Sequence, residues 1–335
     1  MLSVVYHPEY EEHVIWDGHP ERPERLAAIR EWLISVLGHE PSYVEPEIAK
    51  KDDLLSVHAE EYVSFVESFD GLMDPDTYVH GDKTYRIALR AVGGALKAAE
   101  MALSSTPTFA LVRPPGHHAT SLHGGGFCYF NNIAVAANRL MERYKVAIVD
   151  IDAHHGNGTA EIFGDTDKVL YISTHEWGIY PGTGRAEDVG NADGEGFTVN
   201  IPMPHGSGDS SYSEALNRVI LPIINEYKPH ILLVSLGADA HYMDPLTSLT
   251  LSTAGYRSLA LSLLSYANKS CKGRIAYMLE GGYHLDALAE VVGGIIIGDE
   301  RAPMTYTEVY DGECRARDAI EKVLSVHSQY WSSLC

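Results

Sequence analysis

The chain has 335 residues, of which 45% are apolar, and this is enough to bury a substantial core. Its 25 basic and 46 acidic residues give a formal net charge of −21. Such a surface repels the phosphates of nucleic acid, so we expect no nucleic-acid partner. It can steer cationic substrates such as basic peptide tails or polyamines, or it can act only by keeping the protein soluble.

Cysteine usage and hydropathy favour the cytoplasm. The four cysteines form no CxxC pair, so neither a disulfide framework nor a thiolate zinc site is indicated. No segment approaches the roughly 18 apolar residues of a membrane span, and the N-terminus has no basic region of a signal peptide. We therefore expect a cytoplasmic protein with no membrane partner. No repeat or linker divides the chain, which predicts one domain over 1–335 and leaves homo-oligomerisation open.

Apolar periodicity predicts helices that alternate with short strands. The first helix lies in PERLAAIREWLISVLG, with apolar residues at helical spacing from Ile29 to Leu37 and with Gly38 as its cap. Further helices are predicted in YRIALRAVGGALKAAEMAL, IAVAANRLMERY, YSEALNRVILPIINEY, TAGYRSLALSLLSYANK and around Ile320 to Leu324. Strands are predicted in TFALV (108–112), KVAIVDI (145–151), KVLYIS (168–173), HILLVSL (230–236) and RIAYMLE (274–280).

The predicted strands are continuously apolar, as are strands buried on both faces of a parallel sheet. Strands that alternate with helices build such a sheet. The sequence therefore predicts an α/β fold, a three-layer sandwich with a mainly parallel central sheet.

Polar motifs follow four of the predicted strands directly. They are RPPGHHA (113–119), DIDAHHGNGT (150–159), GADAHYMDP (237–245) and GGYH (281–284). Ligands of open parallel sheets bind at the carboxyl ends of the strands. We therefore expect the four motifs to converge on one site.

One histidine and two carboxylates form a candidate metal site. Asp152 and His154 are two residues apart, so their side chains point the same way if the backbone is extended. Asp239 adds a third ligand, and three protein ligands leave the open position of a catalytic zinc site. Manganese or iron suits the same ligands. Alternatively, Asp150 and Asp152 only cap the helix that follows.

The adjacent His117 and His118 are candidate proton-transfer groups. One imidazole can act as base and acid when its neighbour is tuned to a different pKa. Asp150 and Asn157 are the expected partners: a carboxylate raises the pKa of the imidazole that it orients, and an amide orients without that charge. Tyr283 is either a core tyrosine or a hydroxyl that stabilises charge developing on a substrate oxygen.

These motifs resemble the zinc-dependent histone deacetylase and acetylpolyamine amidohydrolase family. The resemblance runs in order from HPERP (19–23) to EGGYH (280–284) and includes GFCYFNN (126–132) and YPGTG (180–184). It implies an arginase-like α/β fold and a deacetylase-like catalytic domain. It also implies hydrolysis of an acyl amide by metal-activated water.

The resemblance assigns a role to each matching residue. Asp152, His154 and Asp239 match the ligands of one zinc ion. His118 matches the general base and acid, His117 its electrostatic partner, and Tyr283 the carbonyl-polarising tyrosine. Asp150 and Asn157 match the groups that hold the two imidazoles. Phe127 and Tyr180 match the walls of a narrow substrate tunnel, and Gly126 lies beside it.

Potassium sites are also implied by the resemblance. One would involve Asp150, Asp152, His154, Ser173 and Thr174, and a second Phe163, Thr166 and Val169.

The substrate stays open between acyl-lysine and acetylpolyamine. Asn157 replaces the aspartate of nuclear class I enzymes, so the chain is closer to class II and prokaryotic members. Tyr180 replaces a common tunnel phenylalanine. Leu246 stands where the eukaryotic polyamine deacetylase has an acidic gatekeeper, and HPERP (19–23) is compact. Both features favour acyl-lysine in proteins or peptides, whereas the negative charge favours polyamines.

Two other functions are compatible with parts of the sequence. DAH also occurs in arginase-like ureohydrolases, which hold two manganese ions. Here His155 and Gly156 follow, without a further aspartate. A catalytically silent module that binds acetylated ligands is the second alternative.

Overall fold

Eight parallel strands form the central sheet of the computed structural model, which describes residues 1–310 and 312–335. In chain order the strands are β1 (Ser3–Val5), β2 (Tyr43–Val44), β5 (Thr108–Ala110), β6 (Val146–Asp150), β7 (Val169–Glu176), β8 (Thr198–Met203), β9 (Ile231–Leu236) and β10 (Ile275–Leu279). A separate antiparallel hairpin consists of β3 (Asp70–Asp74) and β4 (Thr77–His80). The strand order of the large sheet is β2-β1-β5-β10-β9-β6-β7-β8.

Helices flank the sheet and give the predicted three-layer sandwich. They are α1 (Glu24–Leu37), α2 (Lys51–Leu55), α3 (Glu60–Ser68), α4 (Gly81–Leu103), α5 (Asn132–Met141), α6 (Asn157–Phe163), α7 (Asp209–Ala215), α8 (Leu221–Tyr227), α9 (Thr253–Ser270), α10 (Leu285–Ile297) and α11 (Arg317–His327). Short 3₁₀ segments lie at Pro8–Glu12, Ala192–Gly194 and Ser332–Leu334. Within residues 1–310 and 312–335, no helix combines the length and apolar character needed to cross a membrane.

The strand order explains why the four motifs converge. β10 is the last strand in the sequence, yet it lies between β5 and β9, and β9 lies beside β6. All these pairs are parallel, so the carboxyl ends of the four motif-bearing strands share one edge. The expected convergence is confirmed.

Some elements were not predicted, for local reasons. β1 and β2 have only three and two residues, too few for a pattern to stand out. β8 contains Asn200 and Pro202, which interrupt its apolar run. α10 is largely apolar and buried along most of its length, so it has no alternation of apolar and polar faces, and it contains two glycines.

One predicted helix is interrupted. The segment YSEALNRVILPIINEY forms α7 and α8, with a π-helical stretch, Leu216–Ile220, between them. Pro222 has no N–H, so the carbonyl four residues earlier loses its α-helical partner there. A wider turn next to the proline is a known adjustment to such a loss.

Close helix packing fixes the position of α10, which begins two residues after Tyr283. A β-carbon built at Gly293 would overlap the ring of Trp32 on α1, and one built at Gly294 would overlap the guanidinium of Arg257 on α9. Arg257 is fully buried and donates to the carbonyls of Glu290, Ala302 and Pro303. The two adjacent glycines therefore face different neighbours: Gly293 faces a partly exposed ring, and Gly294 faces a buried guanidinium that three carbonyls hold.

We expect Gly294→Ala to destabilise the protein by about 1–3 kcal/mol, because the tethered Arg257 cannot move aside. Gly293→Ala is the matched control, since the partly exposed Trp32 can shift. Both changes remove the same backbone freedom. Denaturant unfolding of the two variants measures the difference. Equal stabilities would contradict the packing described here.

Candidate active site

Asp152, His154 and Asp239 bring their ligand atoms within 4.8 Å of one another, and both aspartates are buried. Nδ1 of His154 lies 2.9 Å from Oδ2 of Asp239 and 3.3 Å from Oδ1 of Asp152. These side chains follow β6 and β9, which are neighbours in the sheet. In the described part of the chain, this is the one cluster of three or more such side chains that can hold a metal ion.

The reason given for the alignment of Asp152 and His154 was wrong. β6 ends at Asp150, and the backbone from residue 152 to 154 is bent rather than extended. The side chains converge because Oδ1 of Asp152 accepts a hydrogen bond of 2.8 Å from the backbone N–H of His154. A turn of this type brings neighbouring side chains together without strand geometry.

Backbone amides hold the two carboxylates in place. Oδ2 of Asp152 accepts from the N–H of Gly281, and Oδ1 of Asp239 accepts from the N–H of Ala153, both at 2.8 Å. A β-carbon at Gly281 would lie 2.5 Å from Oδ2 of Asp239, so only glycine fits there. Burial and the charge of Asp152 raise the pKa of Asp239 to about 6. Two buried carboxylates this close repel each other, and a cation between them would relieve the repulsion.

His117 and His118 lie side by side, with ring centroids 4.1 Å apart. Nδ1 of His117 lies 3.1 Å from Oδ2 of Asp150, and Nδ1 of His118 lies 2.8 Å from Oδ1 of Asn157. Each imidazole therefore faces the partner that the sequence suggested. Asp150 does not cap α6, which begins at Asn157, and its Oδ2 also accepts from the hydroxyl of Tyr171.

The different partners separate the pKa values of the two histidines. Burial opposes protonation of His117, but the charges of Asp152 and Asp150 outweigh it and raise its pKa to about 10. Burial and the charges of His117 and His154 lower the pKa of His118 well below its ordinary value. A cation beside Asp152 would reduce the rise at His117. Of the two imidazoles, His118 has the lower pKa and is therefore the one that more readily stays neutral and accepts a proton.

Tyr283 completes the site from the loop after β10. Its ring contacts that of Phe127 edge-on at 5.7 Å, and the guanidinium of Arg25 lies over it at 5.1 Å. Burial raises the pKa of Tyr283 well above 10, and the charges of Asp239 and Asp152 add to the rise, so the hydroxyl keeps its proton. It is therefore a hydrogen-bond donor.

The ring of Tyr180 and the loop at Gly126 lie beside His118, whereas Phe127 lies beside Tyr283. The ring of Tyr180 contacts that of His118 edge-on at 5.0 Å. A β-carbon at Gly126 would approach Cδ2 of His118 to 2.6 Å, so the loop packs directly on the imidazole. Phe127 has a φ of 71°, a left-handed conformation that costs free energy for a residue other than glycine.

The hairpin β3–β4, which the sequence did not predict, holds this strained segment. The N–H of Gly126 donates to Oδ2 of Asp74 at 2.8 Å, and the N–H of Phe127 donates to the hydroxyl of Thr77 at 2.9 Å. Asp74 and Thr77 therefore position Gly126 and Phe127, which are expected to lie at the substrate tunnel. The turn residues between two short strands were the only signal in the sequence.

Three buried charged residues of the site were also missed. Oε2 of Glu280 accepts from the N–H groups of Gly116 and His117, and burial raises the pKa of this carboxyl to about 7. The apolar pattern predicts Glu280 only as the end of a strand. A carboxylate that ends a fully apolar run was the available signal.

The other two, Asp244 and Arg25, support Tyr283. Oδ2 of Asp244 accepts from the N–H of Tyr283 at 2.7 Å. Arg25 donates to the carbonyls of Gly282 and Glu280, and it pairs with Glu21 at 3.1 Å, four residues before it. The i, i+4 spacing of Glu21 and Arg25 was a signal in the sequence.

The residues of the first expected potassium site lie beside the candidate metal site. Those of the second lie between α6 and β7. Ser173 and Thr174 are buried on β7, and the hydroxyl of Thr174 faces the carbonyl of Asp150 at 3.4 Å. Phe163, Thr166 and Val169 lie in the connection from α6 to β7. Potassium at either place stays a prediction.

Comparison with known proteins agrees with this site. Residues 19–297 match the histone deacetylase domain. The chain is 42% identical to a probable deacetylase of Archaeoglobus fulgidus, over 99% of both chains. It is 35% identical to the chloroplastic histone deacetylase 14 of Arabidopsis thaliana, over 83% of this chain and 72% of that protein.

A solved structure gives the same result for the fold. The crystal structure of the HDA15 HD domain superposes with a TM-score of 0.90 at 34% identity, and the match covers 99% of this chain and 97% of that one. The chain therefore belongs to the histone deacetylase family, as its motifs indicated. It is a deacetylase of that family, with the family's α/β fold, and its substrate carries an acetyl group.

We expect Asn157→Asp to move the acidic limb of the pH profile upward by about one pH unit or more, because a carboxylate raises the pKa of the adjacent His118. His118 accepts a proton only when neutral, so activity is lost as the pH falls through its pKa. The measurement is kcat/KM of deacetylation between pH 5 and 9. Asp165→Asn, an exposed change just beyond α6, is the control. An unmoved limb in Asn157→Asp would remove His118 as the base.

Proposed function

We propose that the protein is a zinc-dependent deacylase that removes acetyl groups from acyl-lysine in cytoplasmic proteins or peptides. The observation that carries this proposal is the pair of adjacent histidines, one facing Asp150 and the other facing Asn157, beside a buried Asp-His-Asp cluster. One histidine is able to accept a proton, and its charged neighbour stabilises negative charge. Amide hydrolysis needs both functions.

The residues present fit a zinc ion. Asp152, His154 and Asp239 offer one imidazole nitrogen and two carboxylate oxygens, which zinc binds readily. Their buried carboxylates gain a counter-charge when a cation binds. Bound there, zinc would supply Lewis acidity toward a water molecule and toward the acyl carbonyl.

The side chains of the site then divide the proton transfers. Nδ1 of His118 faces Asn157, which leaves Nε2 to take a proton from the attacking water and to give one to the departing lysine amine. The hydroxyl of Tyr283 donates a hydrogen bond to the acyl carbonyl oxygen as negative charge develops on that oxygen. The positive charge of His117 stabilises the tetrahedral intermediate in which this oxygen is negatively charged.

The residues expected at the tunnel entrance favour a substrate in which the acylated lysine is part of a larger molecule. Tyr180 is 49% exposed, and Leu246 is 40% exposed at the position where the polyamine deacetylase has its acidic gatekeeper. An open, partly apolar rim suits a polypeptide better than a small polycation. The net charge of −21 favours the second candidate, an acetylpolyamine.

A direct comparison of substrates tests the proposal. We expect zinc-loaded enzyme to turn over acetyl-lysine peptides with a higher kcat/KM than N-acetylputrescine or N-acetylspermidine, because the rim contacts only the larger substrate. The matched experiment repeats the series at raised salt. Salt screens the long-range attraction of cationic substrates to the acidic surface, so it separates this attraction from contacts at the rim. A clear preference for acetylpolyamines would replace the first candidate with the second.

Replacing Tyr283 by Phe should lower kcat by on the order of a hundredfold or more, as removal of other oxyanion donors does. The ring remains, so its contacts with Phe127 and Arg25 should persist. Metal content by elemental analysis should stay at one zinc per chain, whereas two manganese ions would favour the ureohydrolase alternative. Unchanged turnover would remove Tyr283 from the mechanism.

Tight acetyl-lysine binding by wild-type protein without turnover would favour the alternative that the chain is a catalytically silent binding module.

A further inference from the structure

An apolar depression, which we call the side groove, lies next to the residues expected at the tunnel. It has no role in the site described above. It encloses about 590 Å³ between α3, the hairpin and the loop before α5. Its lining residues are Glu61, Tyr62, Phe65, Met73, Leu122, His123 and Gly124. All but Glu61 and His123 are apolar, aromatic or glycine.

The side groove and the tunnel share a wall. Gly124 lines the groove and Gly126 packs on His118, so the two surfaces are two residues apart, a distance of at most about 7 Å along the chain. The hairpin joins them as well: Met73 lines the groove, and the next residue, Asp74, holds the N–H of Gly126. A molecule that lies across the tunnel entrance therefore reaches the groove.

Large apolar side chains are left open to solvent in the side groove. Leu122 is 46% exposed and Phe65 is 37% exposed, and Met73 lies between α3 and the loop of Leu122. Single exposed apolar residues are ordinary, but here two of them line one concave surface, so a ligand that lies in it can cover both. The groove can bury an apolar side chain of a ligand.

The charge around the groove favours a basic ligand. Glu61 is exposed and forms none of the ion pairs found among residues 1–310 and 312–335, and the lining contains no lysine or arginine. Oδ2 of Asp74 and the hydroxyl of Tyr180 both lie close to Gly125. The charges of Asp74 and Asp76 contribute, after burial and Cys128, to the raised pKa of Tyr180. The surface from the groove to the tunnel is thus apolar with an acidic margin.

We propose that the side groove binds the apolar side chain of a substrate residue two positions from the acyl-lysine, in an extended peptide with a basic residue beside it. This inference rests on the proposed deacylase function and adds a sequence preference to it. Side chains at i and i+2 of an extended peptide point the same way and are about 7 Å apart. Gly124, which lines the groove, and Gly126, which packs on His118, are also two residues apart. A polyamine has no side chain to fill the groove.

Three acetylated substrates test the groove on the intact zinc-loaded enzyme. The first is a short peptide with arginine beside acetyl-lysine and leucine two positions away, with the leucine placed before acetyl-lysine in one version and after it in another. The second has glycine in place of the leucine, and the third is acetyl-lysine with blocked termini. We expect kcat/KM for one leucine peptide to exceed that for its glycine counterpart by roughly tenfold, as burial of a few methylene groups gives elsewhere.

A matched pair of variants locates the preference. Leu122→Ser removes an exposed leucine from the groove, and we expect the leucine-to-glycine ratio to fall toward one. Leu72→Ser removes a leucine of 56% exposure from β3 that does not line the groove, and we expect the ratio to stay as in the wild type. Equal changes in the two variants would overturn the assignment to the groove.

The three substrates, tested on the wild-type enzyme alone, separate the proposed groove from the proposed deacylase function. Turnover of all three acetyl-lysine substrates with equal kcat/KM for the leucine and glycine peptides would overturn the groove and leave the deacylase function standing. No turnover of any acetyl-lysine substrate would overturn the proposed function and the groove with it.

Discussion

Four carboxylates are buried along one edge of the sheet, and the surrounding structure compensates their charge. Asp150, Asp152, Asp239 and Glu280 are each 1% exposed or less. Burying a carboxylate without partners costs several kcal/mol. Backbone N–H groups of the neighbouring loops, the imidazoles of His117 and His154 and the hydroxyl of Tyr171 supply those partners. The loops after β5, β6, β9 and β10 are thereby tied to one another.

The same network separates the roles of two chemically identical side chains. His117 and His118 are adjacent in sequence and in space, but one faces a carboxylate and the other an amide. Carboxylate charges raise the pKa of the first, whereas burial and neighbouring positive charges lower the pKa of the second. Because the charge of His117 lowers the pKa of His118, each imidazole depends on the other, and a change at either partner alters both.

Much of the site could be predicted from the sequence because its residues follow apolar strands in compact motifs. DIDAHHGNGT indicated two metal ligands and both histidine partners, and the parallel sheet brought Asp239 to them. The bent backbone after β6 could not be predicted, since it depends on an aspartate turn rather than on periodicity. Glu280, Asp244 and Arg25 were missed for another reason: their importance comes from contacts with distant backbone groups, such as Arg25 with Gly282. The hairpin was missed because its strands are short and partly polar.

The position of β10 affects how the protein is made. The strand that joins the two halves of the sheet is encoded last, so a growing chain that has not reached Ile275 presents β5 and β9 as open edges. Open strand edges pair readily with other chains. During synthesis the ribosome must add residues 111–274 after β5, and residues 237–274 after β9, before β10 can cover the two edges. Slow translation over this interval would expose the unfinished sheet to aggregation, and a chaperone that shields strand edges would be of most use there.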